Sequence, residues 1–177
     1  MTMQQLDFSG YGSGQVDFQH LLDTTVQPEL PALNEFINRV VTQFIAQDPA
    51  VKIIFMVIGL SDRNDSSDLD CDARRVSERE ASRQRMQSCR DWIIQQVRQR
   101  ALANGVDVSA VDRSWFTHVS IAAMTAYLSH PHPATEAQRQ ENRAVVVCFR
   151  EYPLPAGEIG GAAFGEPVDE TAWLTIT

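Results

Sequence analysis

The stretch Val51-Lys52-Ile53-Ile54-Phe55-Met56-Val57-Ile58-Gly59-Leu60-Ser61-Asp62 decides the fold class. Its first part is an almost unbroken β-branched and apolar run, which predicts a strand buried on both faces, and Ser61-Asp62 closes it. On its amino-terminal side, Leu33, Phe36, Ile37, Val40, Val41 and Phe44 recur at the spacing of one helix face, and Asp48-Pro49 ends that helix. On its carboxyl-terminal side, residues 61–80 are polar and rich in Asp and Arg, which predicts a loop or the entry to a helix. From Ala81 the positions Met86, Cys89, Ile93, Val97 and Ala101 keep a helical period, with Trp92 alongside, and Asn104-Gly105 closes the helix. Residues 118–124 predict a third strand, 129–141 a proline-bearing loop with room for a short helix, and 144–149 a last apolar strand. Residues 16–22 are a weak first strand, followed by the turn-like Gln27-Pro28-Glu29-Leu30-Pro31. The order β-α-β-α-β-(α)-β predicts an α/β fold of helices packed on one sheet.

A chain of 177 residues is long enough to bury a core without disulfides or a structural metal. Residues 1–14, with Gly10, Gly12 and Gly14, are expected to be a flexible amino-terminal segment, and 15–150 the folded domain. Residues 151–177 read as a Pro/Gly-rich extension that closes on the strand-like Trp173-Leu174-Thr175-Ile176. No apolar run approaches the ~20 residues of a membrane helix, so direct membrane insertion is not expected. The amino terminus lacks a basic region followed by an apolar stretch, so an exported form is expected to have lost its leader or to belong to a longer chain.

The net charge of −8 hides an asymmetry: residues 71–100 hold eight Arg against four acids, a local +4 on a body of −12. Lys52 is the only lysine, so the positive charge sits almost wholly on guanidinium groups suited to bidentate capture of carboxylate or phosphate. A solvated helix face is the plainer reading of the same run. An acidic body and arginines without interleaved aromatics argue against nucleic acid. Cys71, Cys89 and Cys148 form no CxxC pair and no ligand cluster with histidine, so neither zinc nor any other metal or cofactor is expected. Three separate thiols or a Cys71–Cys89 bridge both remain open. His130-Pro131-His132 lacks a third ligand at set spacing, and His20 and His118 lie in predicted strands. With no nucleophile elbow, phosphate loop or opposed carboxylates, an enzyme is not expected, a metal hydrolase using His130 and His132 being the weakest alternative.

Gly59-Leu60-Ser61-Asp62 resembles the Gly-His-Thr-Asp that ends the second strand of OmpA-like domains, the peptidoglycan-binding modules of bacterial envelopes. The helix from Ala81 to Ile93 is similar to that family's Leu-Ser-x-x-Arg-Ala-x-x-Val-x-x-Tyr-Leu, with Ser82 and Arg85 identical. Asn142-Arg143-Ala144 resembles its Asn-Arg-Arg before the last strand, and Leu30, Leu33 and Pro133 fall at comparable places. The resemblance spans roughly residues 15–150 and implies an α/β sandwich of helices on one mixed sheet. It departs at Leu60-Ser61 for His-Thr, at the longer loop after Asp62, at Glu78 for an asparagine, at residues 125–130 for a Gly-x-Gly-Glu stretch, and at Ala144 for the second arginine.

The resemblance implies non-covalent binding of a peptidoglycan stem peptide through diaminopimelate, whose zwitterionic end needs one anion beside one cation. Asp62 would take the ammonium and Arg85 the carboxylate, Ser61 and Asn64 would add neutral hydrogen bonds, and Arg143 would hold a second carboxylate. Read singly, Asp62 is a cap or turn residue and Arg85 an exposed helix arginine. The implied setting is the periplasm, with the domain fixing an envelope or outer-membrane protein to the cell wall. The departures support an alternative, a degenerate scaffold that contacts proteins of an envelope or secretion assembly. On either reading, residues 65–80 are expected to be a mobile or lightly packed excursion at the mouth of the crevice unless Cys71 ties them to Cys89.

Overall fold

The computed structural model describes residues 3–46, 51–62, 70–107, 109, 119–126, 130 and 133–153. Its strands are β1 (Gln4–Ser9), β2 (Val51–Leu60), β3 (Val119–Ala126) and β4 (Ala144–Pro153), and its helices α1 (Phe18–Thr24), α2 (Leu30–Ala46), α3 (Cys71–Ala103) and α4 (Glu136–Asn142). The strands form one mixed sheet in the order β1-β4-β2-β3. β4 is antiparallel to both β1 and β2, whereas β2 and β3 are parallel. A parallel pair requires a crossover, which α3 supplies. The α/β sandwich of helices on one mixed sheet is therefore the architecture expected from the sequence.

The core lies between one face of the sheet and α1, α2 and α3. Ile53, Phe55 and Val57 of β2, Leu6 and Phe8 of β1, and Val145, Val147 and Phe149 of β4 are buried there. Phe36 of α2 packs edge-on against Phe55 at 5.3 Å between centroids, and Phe18 of α1 meets Phe8 at 5.2 Å and Trp92 of α3 at 5.3 Å. The helical faces read from spacing are the buried ones: Leu33, Phe36, Ile37, Val40 and Val41 on α2, and Met86, Cys89, Ile93, Val97 and Ala101 on α3. Gly105, at φ +75, turns the chain out of α3. Ile54, Met56, Ile58 and Leu60, on the other face of β2, are only half-buried. The run is thus not buried on both faces as expected; it is continuous in sequence because the outer row is apolar as well.

Three expectations need correcting. Residues 1–14 are not wholly a flexible segment, because Leu6 and Phe8 alternate with exposed Gln5 and Asp7 and pair β1 along β4. With two core side chains, so short an edge strand has little periodic signal. Residues 16–22 are not a strand but the start of α1, where the Asp17 carboxylate accepts from the His20 amide at 2.6 Å and Phe18 and Leu21, three apart, are the buried pair. Residues 71–80 are not a loop but the first turns of α3, capped by Asp70, which accepts from the Ala73 amide at 2.7 Å. Arg and Glu are good helix formers, so charge without apolar periodicity is compatible with a helix running past its core, as exposed Val76 shows. Cys71 and Cys89 therefore stand on one helix, about 27 Å apart along its axis, and cannot be bridged. Cys89 and Cys148 are free, buried thiols. Asn64, His118, Pro131, His132 and residues 154–177 lie outside the described residues.

Candidate functional site

The carboxyl-terminal end of β2 packs directly against α3. Gly59 faces the main chain of Ser82, itself buried, and Ser82 donates its hydroxyl back to the Arg79 carbonyl at 2.9 Å. This contact brings Ser61 and Asp62, the residues that follow β2, beside Arg85 one turn further along α3.

Arg85 is buried, not an exposed helix arginine. Its Nε donates to the Gln15 carbonyl at 3.0 Å and its Nη1 to the Leu60 carbonyl at 2.9 Å, and its guanidinium carbon lies 5.1 Å from the Tyr11 ring centroid. Nη2 has no acceptor among the described residues. Burial pushes its pKa down to about 10; Tyr11 and Asp62 raise it and Arg143 lowers it further. Arg85 and Asp62 are thus electrostatic neighbours without forming an ion pair.

Asp62 is taken up by α4 and the residue after it. Arg143 Nη2 donates to Asp62 Oδ2 at 3.0 Å, with both side chains only 9% exposed. Arg139 Nη1 reaches the same oxygen at 3.4 Å. Asp62 Oδ1 receives one long contact, from Asn142 Nδ2 at 3.4 Å. Arg143 Nη1 also donates to Glu136 Oε1 at 2.7 Å. Among the described residues, the guanidinium groups of Arg85, Arg139 and Arg143 and the carboxylates of Asp62 and Glu136 gather here.

The capping box of α4, in which Thr135 and Gln138 bond each other's amides, fixes where that helix starts and hence where Arg139 and Arg143 point. Buried Asn142 accepts from the His130 amide at 2.7 Å and donates to the His130 carbonyl at 2.9 Å, while His130 Nε2 lies 2.6 Å from Glu141 Oε2. His130 thus buttresses α4, and no group of three or more metal-ligating side chains occurs among the described residues.

Of the residues singled out from the sequence, Asp62, Arg85, Arg143 and buried Ser61 gather at one end of the sheet. Arg143 holds Asp62 rather than standing apart as a separate anion site. Arg139 and Asn142 join the cluster although the sequence reading gave them no role. The four-residue step from Arg139 to Arg143 was the available signal, since it places both on one helix face. Tyr11 comes from the segment expected to be flexible and Gln15 from the first residue of the expected domain, and no local pattern marks either.

Tyr11 gives the site an alkaline signature. Burial, then neighbouring Cys89, holds its phenol well above the ordinary value of 10, against the lowering effect of Arg85. The folded chain keeps this proton where the unfolded chain releases it. The stabilisation is therefore complete below about pH 10 and declines as pH rises beyond it, by about 1.4 kcal/mol per unit. Urea titrations at about pH 9 and about pH 11 should show wild type losing stability relative to Tyr11→Phe by that slope. Parallel losses in the two proteins would show that the phenol ionises as readily folded as unfolded.

No family model and no curated protein matches the chain. Among solved structures it is similar to the OmpA-like domain of FopA1 from Francisella tularensis, at 12% identity and a TM-score of 0.40, covering 86% of this chain and 74% of that one. It is also similar to the periplasmic domain of Helicobacter pylori MotB, at 15% identity and a TM-score of 0.30, covering 71% of this chain and 64% of that one. A further MotB periplasmic domain matches at 17% identity and a TM-score of 0.27, covering 67% of this chain and 51% of that one. At such scores the likeness carries no argument about binding. No helix among the described residues is long and apolar enough to cross a membrane.

Proposed function

We propose that this chain is a non-catalytic module that binds peptidoglycan non-covalently through the diaminopimelate of the stem peptide, fixing an envelope protein or assembly to the cell wall from the periplasmic side. The observation that carries the reading is Arg85, a buried cation with two N–H groups given to main-chain carbonyls and Nη2 without an acceptor among the described residues. A carboxylate meeting Nη2 would complete the hydrogen bonding of a charge that burial makes costly to leave uncompensated. The two arginines on Asp62 converge on Oδ2, so Oδ1, with one long amide contact, is the oxygen for the ammonium of the same zwitterion. Ser61 and Asn64 are proposed to add neutral hydrogen bonds, and Arg143 to act through Asp62 while adding positive charge for further stem-peptide carboxylates.

The deciding measurement is co-sedimentation with purified insoluble peptidoglycan of two kinds, one with diaminopimelate and one with lysine at the third stem position. Retention on the first and release from the second supports the reading. Equal behaviour on both, or no retention on either, sinks it. One observation favours a second reading, a protein-binding scaffold: the first turns of α3 extend past the core with Val76 68% exposed among charged residues. That reading gains if neither wall retains the chain while truncation of those turns abolishes capture of an envelope protein.

A further inference from the structure

The segment between β1 and α1, from Gly10 to Gln15, meets both halves of the cluster. Its Gln15 carbonyl accepts a hydrogen bond from Arg85 Nε at 3.0 Å, and the Tyr11 ring lies under the guanidinium. The Gly10 amide donates to the Gln140 carbonyl of α4 at 3.2 Å, between the residues that hold Asp62. The Gly12 amide closes the segment on Gln15 Oε1 at 2.9 Å. Gly10 sits at φ +105, where an L side chain is strained, and an added Cβ would come within 3.2 Å of Thr25 Cγ2. The segment is thus a shaped brace between Arg85 and α4.

Tyr11 is wholly buried, yet its hydroxyl has no hydrogen-bond partner among the described residues. A phenol sealed from water without a partner is unfavourable, so the ring face, not the hydroxyl, accounts for its contact with Arg85. Ring below, carbonyl on the Nε edge and carbonyl on Nη1 together leave a planar guanidinium one orientation. We infer that Tyr11 is a positioning residue: it holds Arg85 so that Nη2 is presented to an incoming carboxylate, and the Gly10-to-Gln15 segment is a wall of the ligand site rather than a linker. This rests on the peptidoglycan reading for the identity of the ligand but not for the geometry.

The test pairs two readouts on the full chain. Hydrogen exchange of the Arg85 Nε–H, followed by NMR and assigned by its loss in Arg85→Lys, reports orientation without any ligand. Co-sedimentation with diaminopimelate-containing peptidoglycan reports binding. Tyr11→Phe, which keeps the ring, is expected to match wild type in both. Tyr11→Leu and Tyr11→Met, which fill the space without a π face, are expected to lose Nε–H protection and to bind about tenfold more weakly. Wild-type protection and retention in either folded apolar variant would overturn the inference, as would loss of both in Tyr11→Phe. If both apolar variants fail to fold, the wild-type Arg85 Nε–H decides, because exchange as fast as that of an exposed arginine would overturn the inference. Failure of wild type to sediment with the wall defeats the peptidoglycan reading alone, and Nε–H exchange then decides the role of Tyr11.

Discussion

Gly59→Val is expected to abolish the folded state, and Gly59→Ala to lower its stability by about 3 kcal/mol, at the upper end of what overpacking usually costs. A Cβ at Gly59 would stand 1.9 Å from the Ser82 carbonyl oxygen, 2.8 Å from its carbon and 2.9 Å from Met86 Cβ. Two of these atoms are main chain, so no rotamer change relieves the clash; α3 must lift away from β2. Against a typical total of about 5–15 kcal/mol, an alanine variant survives and a β-branched one does not. Urea unfolding followed by circular dichroism measures both. Lifting α3 also carries Arg85 away from the Leu60 carbonyl, so the alanine variant should bind the wall more weakly even where it is folded. An unfolding midpoint for Gly59→Ala equal to wild type would show that helix and strand do not approach this closely.

Removing either charge of the proposed pair is expected to reduce wall retention by about tenfold to a hundredfold, the range for losing a hydrogen bond to a charged group. The two removals should differ in their effect on stability. Asp62→Ala strands the Arg143 guanidinium, which is 9% exposed and left with Glu136 alone beside Arg139, so about 3 kcal/mol of stability should go with the binding. Arg85→Lys keeps a cation but loses the fork that serves Gln15, Leu60 and the ligand at once, so it separates positioning from charge. Asp62→Asn preserves shape while removing the anion. If the two conservative variants, shown folded, sediment with the wall as wild type does, neither side chain reads the ligand, whatever the alanine variants do. Asp62 thus has a structural as well as a proposed ligand role, so its alanine variant cannot be interpreted without a stability measurement.

Much of this architecture was legible before any coordinates. The buried faces of α2 and α3 repeat every three to four residues through long segments, so local pattern and tertiary burial coincide there, and β2 and β4 are concentrated apolar runs that mark strands without telling which face is buried. Asp62 and Arg85 were singled out by the resemblance of their motifs to OmpA-like domains rather than by periodicity, since each read singly had an ordinary structural explanation. β1 and α1 were not legible. A six-residue edge strand with two core side chains, and a seven-residue helix with two, give too few repeats for one period to stand out. The first turns of α3 were missed for the opposite reason, since a helix that leaves its core needs no apolar stripe.

The sequence by itself determined that helices pack on one sheet and which faces of α2 and α3 are buried, and its resemblance to OmpA-like motifs singled out an aspartate and an arginine near a strand end. Only the tertiary structure decided what those charges do. Arg143 reaches Asp62 from 81 positions away, and the Arg85 Nε bonds to Gln15 from 70 positions away. No periodicity records such contacts, because they depend on how packed elements meet rather than on how any one of them repeats. The same holds for Tyr11: its ring lies under a guanidinium because β1 pairs with β4 and α3 closes on Gly59, and both contacts join residues far apart in the chain.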